Sequence, residues 1–242
     1  MKSEILKFVG CSLLASLVAV APLRAEEEED DFTPRSGTPP AQRTGGASRT
    51  ESKAPSVILL APRETAGLTS REQPVVYWYL SGDTDAAVEV GINDPTKLEN
   101  PVLETTLKGP TKAGLHKLDL SKLAQDGKPI KLEPGVKYEL VVTVLANDLS
   151  GSENPSSTCV IVRLDAKDVP KEGATEREPA KRAAFYAKQG IWFDYLDAMN
   201  AAIEASPKDE ALTTKRAKAL AAQGLMWKPD GTIIEEASKP KG

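Results

Sequence analysis

The chain has 242 residues, of which 40% are hydrophobic and 27% charged, and its formal net charge is −4 at pH 7. These proportions are ordinary for a globular protein, and the length suits one large or two small domains. Lysine and arginine are scattered rather than clustered, and a mildly acidic chain without a basic block lacks the charge that binds phosphate backbones, which argues against nucleic acid as a partner.

Residues 1–25 have the pattern of a secretion signal. Lys2 and Lys7 give it a charged start, residues 8–23 form an apolar run, and Ala25 is the small residue expected at a cleavage site. The apolar run is shorter than the ~20 residues that a membrane-spanning helix needs, which favours a cleaved signal over the alternative of an uncleaved anchor. We therefore predict cleavage after Ala25, a periplasmic or extracellular location, and no membrane span after cleavage.

Residues 26–55 are predicted to be a disordered leader. They begin with the acidic run EEEEDD and continue with many Pro, Gly, Ser and Thr residues, so that almost nothing is available to bury. Cleavage of the signal would also remove Cys11 and leave Cys159 alone, which excludes an internal disulfide. Because Cys159 lies in the apolar pattern TCVIV, we expect a buried and unreactive thiol.

Residues 56–165 are predicted to form an all-β domain. Apolar runs rich in Val, Ile and Tyr alternate there with turn sequences such as SGD, NDP and EPG. About seven short strands at this spacing are typical of a two-sheet sandwich of immunoglobulin or fibronectin type, and the lack of strand–helix alternation disfavours a parallel α/β sheet. The predicted strands cover residues 57–60, 75–80, 87–92, 102–107, 115–120, 136–145 and 158–164.

A polar linker at residues 166–178 precedes a region, residues 179–228, with helical periodicity. One apolar stripe there recurs at positions i, i+4, i+7 and i+11, which is the spacing of a helix face. Its members are Trp192, Leu196, Met199 and Ile203. Such a stripe must be buried on the sandwich or on another protein.

The helix boundaries follow from capping residues. Gly190 marks a bend, Ser206 is the expected cap of the next helix with Pro207 in its first position, and Gly224 is its expected end. The region is therefore predicted to be an α-helical hairpin with a short helix before it, followed by a flexible tail at 229–242. The predicted fold class is α+β, with the all-β sandwich first and the helical hairpin second.

Several stretches of the sequence resemble a known family. YAKQGIWFDYL at 186–196 is similar to its signature Tyr-Ala-x-x-Gly-Ile-Trp-Tyr-Asp-x-Leu, and GGASR at 45–49 resembles its leader motif. GLT at 67–69 and PVVYWY at 74–79 resemble its Gly-Leu-Thr segment and the strand that follows. Over residues 45–226 the chain thus resembles the bacterial domain-of-unknown-function family 928, which implies an exported protein with no established activity.

The same resemblance bears on disulfides. Many members of that family carry one cysteine after the leader motif and another near the end of the long strand. This chain has Thr50 at the first position and no cysteine between Val136 and Asn147. The resemblance therefore implies that a family disulfide is missing here.

Aromatic residues supply the candidates for an interaction surface, which are Tyr77, Tyr79, Phe193, Tyr195 and Trp227. Strand alternation places Tyr77 and Tyr79 on the face opposite Trp78, where they would be either an exposed pair that binds a carbohydrate or a partner, or part of a half-buried face. The stripe through Trp192 favours core packing, whereas Phe193 points elsewhere on the helix.

No residue is predicted to be catalytic, to bind a cofactor or to ligate a metal. His116 is the only histidine, and it shares strand parity with Leu118, which favours a structural role. The sequence has no Gly-x-Ser-x-Gly elbow and no phosphate-binding glycine loop. Asp194 and Asp197 are three residues apart and share a helix face, for which a solvated face is favoured over a catalytic pair.

The function predicted from these observations is that of a non-enzymatic exported envelope protein, a module that binds or scaffolds another envelope protein or a glycan. A carboxylate-based glycan hydrolase is one alternative, using Asp194 with Asp197 or Glu204 at a separation of about 5–10 Å in a cleft. A carbohydrate-binding sandwich is the other alternative, and its candidate residues are Tyr77, Tyr79 and Trp227.

Overall fold

The computed structural model describes residues 31–45, 54–97, 99–146, 153–169, 171, 175–228 and 232–235. Outside these residues lie the predicted signal peptide and most of the predicted tail. The same holds for residues 26–30 of the predicted leader and for most of its glycine-rich motif at 45–49. The described part contains twelve strands in several sheets, and three α-helices lie towards its C-terminal end. The fold is therefore mixed, with strands and helices largely segregated along the chain.

The strands are β1 Val57–Leu59, β2 Gly67–Thr69, β3 Val75–Leu80, β4 Ala87–Asn93, β5 Leu103–Leu107, β6 Gly114–Asp119, β7 Ala124–Gln125, β8 Lys128–Pro129, β9 Lys137–Leu145, β10 Ser156–Arg163, β11 Leu225–Trp227 and β12 Ile233–Glu235. The helices are α1 Pro179–Gln189, α2 Trp192–Ala205 and α3 Glu210–Ala222. Each of the seven predicted strands overlaps one of these strands. The short strands β2, β7, β8, β11 and β12 were not predicted.

Two larger sheets contain most of the strands. One has the order β2-β10-β9-β4-β5 and the other the order β1-β3-β6. Neighbouring strands are antiparallel except β2 and β10, which run parallel with Gly67 opposite Ile161. The central strand β9 buries alternate residues, because side chains in a strand point to opposite faces; these are Tyr138, Leu140, Val142 and Val144. Side chains from both sheets and from the helices share one hydrophobic core.

The segment 31–45 corrects the prediction of a wholly disordered leader. Phe32 is only 7% exposed, and its ring meets Trp192 edge-on with 4.8 Å between the ring centroids. Further along, Thr44 forms a β-bridge with Thr158 of β10. Burial of the Phe32 ring and the backbone hydrogen bonds of this segment offset the entropy lost when the segment is ordered. The polar composition of the segment did not indicate these contacts.

The strand β12 corrects the prediction of a flexible tail at 229–242. Ile233 lies opposite Trp227 in the β11–β12 pair and is 1% exposed. Pairing with β11 satisfies the backbone groups of β12, and burial of Ile233 adds an apolar contribution.

Helix α2 is buried on most of its sides and lies against α1, α3 and the strands β2 and β3. A helix that is apolar almost all round belongs in a core, and this packing shows that the helices dock on the sheets of their own chain. Trp192, at its first position, donates from Nε1 to the carbonyl of Leu60 at 2.8 Å. The predicted stripe is confirmed as core packing, with Trp192 and Leu196 fully buried.

The start of α3 differs from the prediction. Its cap is Asp209, whose carboxylate accepts a hydrogen bond from the backbone N–H of Ala211 at 3.0 Å. Ser206 instead closes α2, donating its N–H to the carbonyls of Ala202 and Ile203. Aspartate and serine are both good caps, so the residue types alone did not fix which one begins the helix.

Two smaller expectations can be judged from burial. Cys159 is a buried free thiol, as predicted, and burial raises its pKa to about 12. His116 stacks on Trp78 across the β3–β6 pair, with 4.2 Å between ring centroids, which is a packing role. In the described residues no helix is both long enough and apolar enough to cross a bilayer.

Candidate functional site at the helix–sheet contact

The first turn of α2 brings a carboxylate into the contact between the helix and β2. Gly190 has a left-handed φ of 65° and ends α1, and α2 begins two residues later. Asp194 then faces the end of β2, where it accepts hydrogen bonds from the Thr69 hydroxyl at 2.8 Å, the Ser70 backbone N–H at 3.1 Å and the Ser70 hydroxyl at 2.5 Å. Its side chain has no exposed surface. Three donors replace the water that the buried carboxylate has lost.

A second carboxylate lies one helical turn further along. Asp197 Oδ2 accepts a hydrogen bond from Arg71 Nη1 at 2.7 Å. Asp197 Oδ1 accepts from the Tyr77 hydroxyl at 3.2 Å and lies 3.2 Å from Lys117 Nζ. Arg71 also reaches Asp194, with 3.5 Å between Nε and Oδ1. The spacing of three residues places both carboxylates on one face of α2, so one guanidinium bridges them.

These side chains form what we call the carboxylate junction, composed of Thr69, Ser70, Arg71, Tyr77, Lys117, Asp194 and Asp197. Its electrostatics are those of a paired cluster. Burial acts to raise the pKa of Asp197, but Arg71 and Lys117 outweigh it and hold the pKa below the ordinary value of 3.8. Burial and the Asp197 charge raise the pKa of Tyr77 to about 12, so the phenol stays protonated and donates its hydrogen bond.

The geometry of the junction does not give the arrangement expected of a glycan hydrolase. A substrate has no access to Asp194, because its side chain is enclosed by β2 and the following turn. Asp197 is 13% exposed and is bound to two cations and a phenol. Glu204, the other predicted partner, is exposed near the far end of α2. Chemically, the junction neutralises and satisfies the polar groups that the helix brings against the sheets.

The structure corrects four of the five residues predicted for an interaction surface. Tyr77, Tyr79, Phe193 and Tyr195 are each at most 5% exposed. Helix α2 packs against β3 and takes Tyr77 into the carboxylate junction, while the Tyr195 ring lies 5.4 Å from that of Phe32. The prediction failed because it took the sheet face of Tyr77 and Tyr79 as a candidate outer surface.

Phe193 is buried because a glycine makes room for it. A β-carbon added to Gly67 would lie 2.3 Å from Cε2 of the Phe193 ring. The aromatic ring of Phe193 thus packs on the glycine of the Gly-Leu-Thr segment. Thr69, the threonine of the same segment, donates a hydrogen bond to Asp194. The two sequence motifs that are far apart in the chain are in direct contact in the fold.

Trp227 is the one predicted surface residue that is half-buried rather than buried. The guanidinium of Arg216 lies 3.9 Å from the centroid of its ring. Arg216 Nη1 also donates to Asn200 Oδ1 at 2.6 Å, and Asn200 is 3% exposed. Burial lowers the pKa of Arg216.

Sequence reasoning missed the cationic residues of both clusters. Arg71 follows a strand that was too short to predict, and Arg216 lies among other basic residues of α3 without a distinguishing pattern. Asn200 did carry a signal, because a polar amide interrupts an otherwise largely apolar stretch of α2. That signal indicates that Asn200 is buried, but it does not indicate which side chain Asn200 contacts.

Comparison with known proteins gives one family match for the chain. A search of curated proteins finds no match to the chain. The family model described as Domain of Unknown Function (DUF928) matches residues 43–228, which include both motifs and the carboxylate junction. Because that match covers well over half of the sequence, the chain belongs to the Domain of Unknown Function (DUF928) family.

Proposed function

We propose that the protein is a non-enzymatic exported envelope protein that acts as a binding or scaffolding module. The observation that carries this proposal is that the charged side chains of the carboxylate junction are paired with one another. Asp194, Asp197, Arg71 and Lys117 are paired with one another inside the contact between α2 and the strands. Groups engaged in this way stabilise a rigid body, which is the property that a scaffold requires.

We further propose that the two larger sheets pack as a sandwich of immunoglobulin or fibronectin type, with the helices as an added layer. The shared core supports this arrangement, since Trp78 of the three-stranded sheet and Val142 of the five-stranded sheet belong to the same buried cluster. Strands β2 and β3 contact α2, so the helices would brace one side of the sandwich.

Export is supported by the sequence of residues 1–25, with its charged start, apolar run and small residue Ala25. The test is expression of the full chain in a bacterium, cell fractionation and N-terminal sequencing. We expect a mature chain that starts at Glu26 in the periplasmic or extracellular fraction, and an uncleaved chain for Ala25→Tyr, because signal peptidase sites require a small residue. Recovery of the full-length chain from the cytoplasm would contradict export.

The non-enzymatic part of the proposal is tested with envelope glycans as substrates. Purified mature protein is incubated with peptidoglycan and with envelope polysaccharide, and the release of reducing ends is measured. We expect no release above a buffer control. Release by the wild type that Asp197→Asn or Glu204→Gln abolishes would replace the proposal with a carboxylate-based hydrolase.

The binding part is tested by affinity capture from a bacterial envelope extract. The whole mature chain is immobilised, because Phe32 and the helices complete the core and a sandwich fragment would expose apolar surface. We expect a specific protein or glycan to be retained by the native chain and not by the heat-denatured chain. Retention of nothing specific would contradict a binding role.

A further inference from the structure

Arg216 on α3 is a partly buried cation that lacks a carboxylate partner among the described residues. Its guanidinium lies on the Trp227 ring and donates one hydrogen bond, to Asn200 Oδ1. Within the described part of the chain no Asp or Glu oxygen lies within 4.0 Å of it. Arg71 in the carboxylate junction, by contrast, has two carboxylates. Most of the donors of Arg216 are therefore left for an external acceptor.

Asn200 supplies a second, independent indication. The residue is 97% buried, and its Nδ2 has no hydrogen-bond acceptor among the residues that the structure describes. The orientation of the amide is fixed by Arg216, since a flipped amide would turn donors towards donors. Because Oδ1 and Nδ2 belong to one planar group, the unsatisfied N–H₂ lies beside the Arg216 contact. A buried donor without an acceptor is costly, so Asn200 orients Arg216 at a cost to the stability of the fold.

The stretch of sequence that carries Arg216 and Trp227 is basic and partly apolar. Residues 211–228 contain four basic residues and no acidic one, although the whole chain has a net charge of −4. Met226, next to Trp227 in β11, is 41% exposed. Trp, Arg and Met are enriched in protein–protein interfaces, where a half-buried aromatic ring and its cation often contribute most of the binding free energy.

We propose that Arg216, Asn200 and Trp227 form a docking site for an Asp or Glu side chain of an acidic protein partner. The carboxylate accepts from the free edge of the half-buried Arg216 guanidinium, which Asn200 Oδ1 holds in position by accepting its other hydrogen bond. Trp227 holds the guanidinium in place, and Met226 contacts apolar atoms of the partner. This inference rests on the proposed binding role and adds to it the surface and the charge of the partner.

The probe is a fluorescein-labelled hexaglutamate peptide with blocked ends, and hexaglutamine is the neutral control. Binding to the mature chain is measured by fluorescence anisotropy at physiological ionic strength, where diffuse charge attraction is screened. We expect the wild type to bind hexaglutamate and not hexaglutamine. Arg216→Gln should weaken binding about tenfold or more, and Arg216→Lys should do nearly the same, since lysine lacks the planar fork and the stack on Trp227.

Two further variants separate the site from general charge. Asn200→Asp places a carboxylate of the chain itself beside Arg216, so it should abolish peptide binding while the protein stays folded by circular dichroism. Lys208→Gln makes the same charge change as Arg216→Gln on an exposed residue and should alter the affinity less than about twofold. Thermal unfolding of every variant shows that a loss of binding is not a loss of fold.

The inference is overturned if Arg216→Gln binds hexaglutamate as well as the wild type, or if Lys208→Gln loses as much affinity. It is also overturned if oligogalacturonate, an acidic glycan, binds at Arg216 and the peptide does not. Envelope capture with Arg216→Gln distinguishes a failure of this docking site from a failure of the binding role. Equal retention of a partner by both chains would leave the binding role standing without this site, whereas no retention by either chain would remove the role itself.

Discussion

The aromatic ring of Phe193 lies directly over Gly67, so that a β-carbon at residue 67 would be 2.3 Å from Cε2. Real β-carbons do not approach so closely, and the ring is fixed within a buried helix. Strand β2 and helix α2 can therefore pack as they do only because residue 67 has no side chain. This contact joins the two family sequence motifs, because Gly67 lies in one of them and Phe193 lies in the other.

The first prediction concerns that contact. Gly67→Ala should lower the free energy of unfolding by about 2 kcal/mol, because the ring or the strand must move. Urea unfolding followed by tryptophan fluorescence measures it. Gly91→Ala is the matched control, since Gly91 is also in a strand but its nearest neighbour would be 3.9 Å away. Equal losses for both variants would mean that any methyl group added to these strands is destabilising and that the contact with Phe193 is not the cause.

The second prediction concerns Asp194. Asp194→Asn replaces one of the two acceptor oxygens that bind Thr69 and Ser70 by an N–H₂ group, which cannot accept a hydrogen bond, and it leaves Arg71 with one carboxylate. We expect a loss of about 3 kcal/mol in the free energy of unfolding, as for a broken buried charge contact.

Asp83→Asn is the control for Asp194→Asn, because Asp83 forms an exposed ion pair with Lys112. Surface pairs contribute little, so this variant should unfold almost as the wild type does. If Asp194→Asn were equally mild, the carboxylate junction would not be a major support of the helix–sheet contact.

The third prediction is a pH dependence. The pKa of Asp197 lies below 3.8 in the folded protein, so the charged carboxylate stabilises the fold above pH 3.8 and loses this effect as the pH falls below that value. The free energy of unfolding of the wild type should therefore fall more steeply below about pH 4 than that of Asp197→Asn. Urea titrations at a series of acidic pH values measure both slopes. Parallel curves would show that other carboxylates dominate the acid transition.

The fourth prediction tests the leader. Phe32→Ala should lower the free energy of unfolding by about 3 kcal/mol, because the ring is buried against Trp192 and Tyr195. It should also change the fluorescence of Trp192. Phe185→Ala removes the same atoms from a half-buried position and should be milder. A stability unchanged by Phe32→Ala would restore the interpretation of a detached leader.

Most of the strand positions along the chain could be read from the sequence, because the long strands carry their own apolar alternation. Strand β9 is an example, with Tyr138 to Val144 alternating between core and exterior. Strand β2 has only three residues, and its hydrogen bonds come from Arg163 and its neighbours in β10, far along the chain. No local pattern could have indicated it.

The candidate sites were harder to predict for the same reason. The sequence identified Asp194, Asp197 and Trp227 as residues of interest, but their roles depend on Arg71 and Arg216, which approach them only in the folded chain. Side-chain type and spacing predicted that Asp194 and Asp197 share a face. The prediction that this face is solvated was wrong, because the packing of α2 on β2 and β3 leaves Asp194 with no exposed surface and Asp197 13% exposed.

Arg43, near the start of the described chain, donates to the carbonyl of Gln223 beyond the end of α3, at 3.2 Å. Ribosomal synthesis delivers Arg43 first and Gln223 some 180 positions later. This contact of the N-terminal segment therefore forms only after residue 223 has been made, whereas the hydrogen bond from the Arg43 N–H to the Arg63 carbonyl can form earlier. A nascent chain arrested shortly before residue 223 should remain open to proteases near Arg43, and release of the last helix should close that window.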